Sequence, residues 1–293
     1  MRITNQMIAN ESIQSMTANL EALNRYQEKV NTGKQFQNAS DDPAAASASL
    51  SLNSSLTTIQ GYMDTATFAS DWMDANDSSF QQMEDLATQA INTVTTALND
   101  TLNATDRGNL AATIGNITSQ ALDLANTMQN GQYIFSGSKV TTKPFSINAL
   151  GAVVYSGDAG TMQRSLGPNQ SVTINAPGST AFQTFFNTLN AAKKALTNND
   201  TISLRPLLDG LQSSLDTMNQ NRTLMGSSLQ QVQQASDSLQ QAQAATKSLL
   251  TSKTDINMAE GLTKMQSQQN TYQAVLEVSQ RAVSTLSLFD YLK

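Results

Sequence analysis

The C-terminal part of the chain is the feature that most limits its fold. From Pro206 to Lys293 no second proline occurs, and glycine is rare. Because proline and glycine are the residues that most often end helices, this pattern predicts a very long helix. About 85 helical residues would span roughly 130 Å, at 1.5 Å per residue, which is too long for one compact core. The sequence therefore predicts an elongated multi-helix rod.

Apolar residues recur with heptad spacing at both ends of the chain. The N-terminal seam consists of Ile13, Met16, Leu20, Leu23 and Val30. The C-terminal seam consists of Leu262, Met265, Tyr272, Leu276, Val283 and Leu286. A single seam is exposed unless a partner covers it, so we expect the two ends to pair as a coiled coil. So narrow a pair leaves apolar area uncovered, and we interpret these residues as an assembly interface.

Capping residues divide the N-terminal half into three helices. The first is expected to end near Gly33, and the second begins with Asp42 as N-cap and Pro43 as first helical residue. The adjacent carboxylates of Asp41 and Asp42 are interpreted as part of this cap and not as an acid–base pair. The second helix is expected to reach about residue 99. The third is expected over 105–131, with Gly131 as its C-terminal cap.

Turn-forming residues are concentrated in the middle of the chain. Three of the five prolines lie between Gly137 and Gly178, among short runs of β-favouring residues. We therefore predict a mainly α fold with a terminal coiled-coil pair and a small inserted β domain. The predicted domains are an assembly domain of 1–45 with 250–293, a helical domain of 46–137 with 181–249, and a β insert of 138–180.

Composition excludes several function classes. The chain has no histidine and no cysteine, which excludes disulfides, thiol nucleophiles, zinc fingers and histidine-based triads. Its net charge of −6 argues against binding to nucleic acid. No run approaches the roughly 18 apolar residues of a membrane span, and no secretory signal is recognisable. We expect no enzyme activity, cofactor, metal or membrane partner, although a hydrolase that uses only carboxylates stays an alternative.

Two motifs carry a resemblance that covers most of the chain. The first is Asn31-Thr32-Gly33-Lys34 followed by Ala39-Ser40-Asp41-Asp42-Pro43. The second runs from Gly131-Gln132-Tyr133-Ile134-Phe135-Ser136-Gly137 through Lys143-Pro144-Phe145 to Tyr155-Ser156-Gly157-Asp158. With these motifs the sequence resembles the bacterial flagellin superfamily, and most of all the hook-associated protein 3 family of the hook–filament junction. Lys34 and Pro43 favour that family over flagellin proper, which is the alternative.

The resemblance implies a structural adaptor of the bacterial flagellum. Such a protein would join the hook, through hook-associated protein 1, to the flagellin filament, and would contact copies of itself in a junction ring. It would leave the cell through the flagellar type III apparatus without a cleaved signal, and a cytoplasmic export chaperone would hold its C-terminal region. Tyr133, Phe135 and Gly137 would mark the passage from helices into the β domain. Arg107 is interpreted as structural, with an intersubunit contact as the alternative.

Overall fold

The structure is a computed structural model that describes residues 5–290, with side chains described for Met7 and for 10–281. Seven helices and six short strands occur in these residues. The helices are α1 (Asn5–Thr32), α2 (Pro43–Ala97), α3 (Ala104–Ala125), α4 (Gly178–Ala181), α5 (Gln183–Thr197), α6 (Thr201–Thr254) and α7 (Met258–Asp290). The strands are β1 (Met128–Gln129), β2 (Gln132–Tyr133), β3 (Phe145–Ile147), β4 (Val153–Tyr155), β5 (Gln163–Gly167) and β6 (Gln170–Thr173).

The chain divides into two compact units. The terminal unit comprises 1–58 and 243–293, and the central unit comprises 59–242. Helices α2 and α6 each contribute to both units. The predicted mainly α fold, with paired termini and a small β insertion, is confirmed. The finer division into three domains stays a prediction.

The core of the central unit is aromatic and lies where α2 and α5 meet the strand region. The rings of Phe80, Phe135 and Phe182 are fully buried, with centroids 4.7–5.5 Å apart. Phe145 extends this cluster to Phe186, 5.1 Å away. Trp72 is also fully buried, so the large aromatic residues Trp72 and Phe80 of α2 both belong to the core.

The strands form three separate antiparallel hairpins, β1–β2, β3–β4 and β5–β6. In β3–β4, Phe145 pairs with Tyr155 and Ile147 with Val153. In β5–β6 the register shifts between Ser165 and Gly167. The β5–β6 hairpin meets α2 through Arg164, whose guanidinium lies 5.1 Å from the ring centroid of Phe68.

Two predicted helix boundaries are wrong. The third helix ends at Ala125, because Asn126 and Thr127 turn their side chains back onto the carbonyls of Leu122 and Leu124. Gly131 is therefore not a helix cap. Asn130 (φ 52°) and Gly131 (φ 77°) instead form the tight turn between β1 and β2, which needs two left-handed residues.

The long C-terminal helix is also interrupted. It begins at Thr201, before Pro206, and stops at Thr254, and α7 starts only at Met258. Asn257 caps α7 by accepting hydrogen bonds from the backbone N–H groups of Ala259 (3.1 Å) and Glu260 (3.4 Å). An N-cap residue followed three positions later by glutamate is a helix-start signal that sequence analysis could have used here.

Candidate assembly interface

The two terminal helices pair antiparallel within the terminal unit. Near one end, Val30 lies against Gly261, and near the middle Gln268 Nε2 donates to Asn19 Oδ1 at 3.0 Å. A Cβ placed on Gly261 would lie 2.6 Å from Ile256 Cδ1 and 3.4 Å from Val30 Cγ2. The lack of a side chain at Gly261 therefore leaves room for the Ile256 side chain, while Val30 of α1 lies at ordinary contact distance from this position.

The predicted seam residues separate into two groups. Leu23 is buried, and Met16, Val30, Met265, Tyr272 and Leu276 are half-buried. Ile13 is 60% exposed, Leu20 40% and Leu262 47%. The side chains of Val283 and Leu286 lie outside the described residues. Pairing of α1 with α7 thus covers only part of the predicted interface, and the assembly role of these residues stays a prediction.

Polar residues, and not the exposed apolar ones, occupy some of the covered positions on α1. Ser12 and Asn19 on α1 are half-buried, while their neighbours Ile13 and Leu20 are exposed. Val275 lines an open groove of about 350 Å³ between α1 and α7. Sequence analysis missed Ser12 and Asn19 because serine and asparagine carry no apolar signal.

The loop after α1 is joined to the break between α6 and α7. Gln35 N–H donates to Thr254 O at 2.7 Å, and Ile256 N–H donates to Gly33 O at 2.9 Å. Lys34 Nζ lies 2.5 Å from Asp255 Oδ1, and this contact lowers the pKa of the Asp255 carboxyl. Gly33 has φ 68°, a left-handed conformation that suits glycine.

Asp41, Asp42 and Pro43 act as local structural residues. Asp42 Oδ1 accepts a hydrogen bond from Ala45 N–H at 2.9 Å, and Pro43 is the first residue of α2, as predicted. Asp41 Oδ2 accepts from the backbone N–H of Asn38 at 3.0 Å, which lowers the pKa of Asp41. The two carboxylates therefore hold different backbone groups.

Arg107 lies buried in the central unit and binds only neutral oxygens. Its guanidinium donates to the carbonyls of Ala97 (3.1 Å), Leu102 (2.8 Å) and Asn99 (3.0 Å). It also donates to Asn199 Oδ1 at 2.8 Å. The cation therefore satisfies carbonyls at the C-terminal end of α2 and joins the α2–α3 loop to the α5–α6 loop. These contacts favour the structural interpretation of Arg107.

The motif from Gly131 to Gly137 holds the start of the β region against its end. Tyr133 N–H donates to Val140 O at 2.8 Å, and Phe135 O accepts from Gly178 N–H at 2.9 Å. Gly137 has φ 71°, and a Cβ there would collide with the carboxylate and carbonyl of Asp158. A residue other than glycine at this position would thus displace the Asp158 loop.

Asp158 closes that loop through its side chain. Its Oδ1 accepts from the backbone N–H of Ser138 at 2.6 Å and of Gly160 at 3.0 Å. The Ser138 contact is the main reason that the pKa of Asp158 is lowered. Burial is the main reason that the pKa of Tyr155 is raised, and its hydroxyl lies 2.7 Å from Asp158 O. These contacts make the segment around Asp158 a closed turn.

Among the described residues, neither a cluster of metal ligands nor a membrane-spanning helix is found. In that part of the chain, no three histidine, cysteine, aspartate or glutamate residues are grouped so that they could hold a metal ion. Within the same residues, no helix combines the length and the hydropathy that crossing a membrane requires.

Known proteins are similar to this chain in sequence and in fold. Residues 3–140 match the bacterial flagellin N-terminal helical region. Flagellar hook-associated protein 3 of Escherichia coli (strain K12) is 31% identical over 218 residues, which cover 74% of this chain and 67% of that protein. The protein of the same name from Salmonella typhimurium (strain LT2) is 29% identical over 218 residues, covering the same shares of the two chains.

Solved structures support the fold. The crystal structure of Bacillus cereus FlgL has a TM-score of 0.61 and 22% identity, and the match covers 69% of this chain and 99% of that one. The crystal structure of the flagellar junction protein FlgL from Legionella pneumophila has a TM-score of 0.59 and 16% identity, and the match covers 70% of this chain and 100% of that one. With the sequence identity to the Escherichia coli protein, these findings show that the chain belongs to the flagellar hook-associated protein 3 family.

Proposed function

We propose that this chain is a structural adaptor at the hook–filament junction of a bacterial flagellum. In this proposal it contacts hook-associated protein 1 on the hook side, flagellin on the filament side and copies of itself in a ring. It performs no catalysis. The names of its relatives favour this role over that of flagellin proper, which forms the filament.

The observation that carries the proposal is an apolar surface that the terminal pair does not cover. Ile13 and Leu20 are seven residues apart, so they lie on the same side of α1, and both are exposed. On α7, Leu262 is 47% and Val278 66% exposed. Complete burial of such a side chain contributes about 1.5–3 kcal/mol, so covering the exposed half of each would contribute about half of that, which a neighbouring subunit can supply.

The same surface explains why an export chaperone would be needed. A helix with uncovered apolar side chains tends to aggregate before assembly, and α7 exposes Leu262 and Val278. We infer that the chain leaves through the flagellar type III apparatus, that a cytoplasmic chaperone holds its C-terminal region, and that it functions outside the cell. A peptide of 255–293 is expected to compete for that chaperone. Equal competition by a peptide of 131–180 would contradict this inference.

The test of the adaptor role is complementation in a strain that lacks its own junction protein. Such cells are expected to carry hooks without filaments and to release flagellin into the medium. The wild-type chain is expected to restore filaments. Persistence of bare hooks despite export of the chain would contradict the adaptor role.

A matched pair of variants tests the apolar surface itself. Ile13→Asp places a carboxylate where a neighbour is expected to bury it, and an unpaired buried charge is strongly disfavoured. Gln14→Asp adds the same charge at the adjacent exposed position. We expect Ile13→Asp to lose filaments and Gln14→Asp to retain them, while circular dichroism gives the same melting temperature for both. Retention of filaments by Ile13→Asp would show that this face is not an interface.

A further inference from the structure

The net negative charge of the chain comes from one of its two units. The terminal unit contains nine acidic and nine basic residues, so its net charge is zero. The central unit contains 14 acidic and eight basic residues, which accounts for the whole net charge of −6. Copies of the central unit would therefore repel one another in a ring unless specific opposite charges meet.

A groove on the central unit combines exposed carboxylates with an apolar floor. It lies between α2 and α3 and has a volume of about 480 Å³. Its lining residues are Gln82, Asp85, Leu86, Gln120, Asp123 and Leu124. Leu86 is buried and Leu124 half-buried, whereas Asp85 and Asp123 are exposed. None of the lining residues is basic.

The two groove carboxylates differ from other acidic side chains of the same unit. Asp77 and Glu84 bind Arg222 at 2.6 and 3.0 Å. Asp158 holds a loop N–H group, and Asp200 holds an N–H group in the first turn of α6. Among the described residues, no ion pair or side-chain hydrogen bond is found for Asp85 or Asp123. Their charges are therefore available to a partner.

The same unit also carries a surface of opposite charge. Lys139 and Lys143 lie in the loop between β2 and β3, and both are exposed. No acidic residue occurs in the sequence between Asp123 and Asp158, and Asp158 itself lies beside the loop, where its carboxylate holds the Ser138 N–H next to Lys139. Neither lysine forms an ion pair among the described residues.

We propose that the basic loop of one copy, with Lys139 and Lys143, docks into the groove between α2 and α3 of a neighbouring copy. A lysine stem would lie over Leu86 and Leu124 while its ammonium group meets Asp85 and Asp123. The proposal names a partner and a surface for the self-association in the proposed function and rests on that function. Charge complementarity within one chain identifies the occupant as a second copy.

The absence of cysteine from the chain permits an unambiguous crosslinking test. Gln120→Cys places a thiol in the groove, and Thr141→Cys places one in the basic loop between the two lysines. Both variants are produced together in the complementation strain, and isolated flagella are oxidised with diamide. A disulfide-linked dimer is expected on a non-reducing gel. Ser119→Cys, exposed on α3 and absent from the groove lining, replaces Gln120→Cys as the matched control and is expected to give little dimer.

Charge reversal tests the proposed chemistry in the same assay. Asp85→Lys with Asp123→Lys should lower the crosslinked fraction about fivefold, the change that about 1 kcal/mol of lost pairing gives. Adding Lys139→Glu and Lys143→Glu to the loop partner should restore the crosslink. Failure of this restoration would overturn the pairing of these charges.

The outcomes separate this inference from the adaptor role. If the chain is present in flagella and filaments form, but the groove and loop cysteines give no more dimer than the control, the docking proposal is wrong and the adaptor role stands. If the exported chain is absent from flagella, the adaptor role fails and the docking proposal fails with it.

Discussion

The two units of this protein bury very different amounts of apolar surface. In the central unit, large side chains of α2, α5 and the strand region are fully buried, among them Trp72, Phe80, Phe135 and Phe182. In the described part of the terminal unit, Leu23 is the only hydrophobic residue that is buried. A unit with a core of its own can fold alone, whereas a two-helix pair depends on packing against other surfaces. The difference suggests that assembly completes the terminal unit.

The largest effect is expected in the aromatic core. Phe182→Ala removes a fully buried ring that lies 4.7 Å from the Phe135 ring and 5.1 Å from the Phe80 ring. Loss of the burial and the remaining cavity should destabilise the central unit by about 3–5 kcal/mol. Urea unfolding followed by circular dichroism measures the free energy.

The control for this change lies in the terminal unit. Leu50 is 74% exposed, so Leu50→Ala should change the free energy of unfolding by less than about 0.5 kcal/mol. Similar losses of unfolding free energy in the two variants would mean that the two units do not differ in how much apolar surface they bury.

The next effect concerns the loops that Arg107 joins. Arg107→Leu leaves the carbonyls of Ala97, Asn99 and Leu102 without their buried donor. Hydrogen bonds from a charged group contribute about 1.5–3 kcal/mol, so we expect a loss of about that size in urea unfolding. Arg205→Leu, which removes an exposed arginine, should have little effect. Unchanged stability of Arg107→Leu would contradict the structural interpretation.

A smaller effect should depend on pH. The pKa of Asp158 lies below its ordinary 3.8 because the Ser138 N–H binds the charged form. The folded state therefore binds this proton less readily than the unfolded state. The resulting stability is present above pH 3.8 and is lost as the pH falls through the lower, folded-state pKa.

Asp158→Asn tests this sign. At neutral pH the variant should melt at a lower temperature than wild type. The difference between the two melting temperatures should shrink when the pH is well below 3.8, the ordinary pKa of the carboxyl. Asp200→Asn is the comparison, because it removes another carboxylate whose pKa is lowered but which lies outside the β region. A gap that widens in acid would refute the argument.

The smallest effect on global stability is expected where α1 and α7 approach each other. Gly261→Val would bring side-chain atoms against Ile256 and Val30. Amide hydrogen exchange in α1 should become faster, because the pair opens locally, while the melting temperature of the central unit stays constant. Gly226→Val, at a helical glycine with no atom within 4 Å, is the control. A marked fall of the main melting transition in Gly261→Val would show that the terminal pair is part of the principal core.

Local signals in the sequence determined much of this protein. The start of α2 at Pro43 follows from the Asp42 cap, and the end of α1 at Thr32 follows from the left-handed glycine after it. The second motif, Gly131 to Asp158, was specific enough to indicate the family. Each of these features depends on residues close together in the chain, so the sequence alone is sufficient.

Tertiary contacts decided which side of each terminal helix is covered. Heptad spacing placed Ile13, Met16 and Leu20 in one seam, but the structure covers Met16 and leaves the other two exposed. The spacing fixes a period, whereas the covered face depends on the partner helix, here through Gly261 and Gln268. A local helix-start signal at Asn257 marks the break after Thr254. The partner of this break has a tertiary origin, because Ile256 N–H bonds to Gly33, more than 200 residues earlier in the chain. No local pattern encodes such a partner, so only the folded chain reveals it.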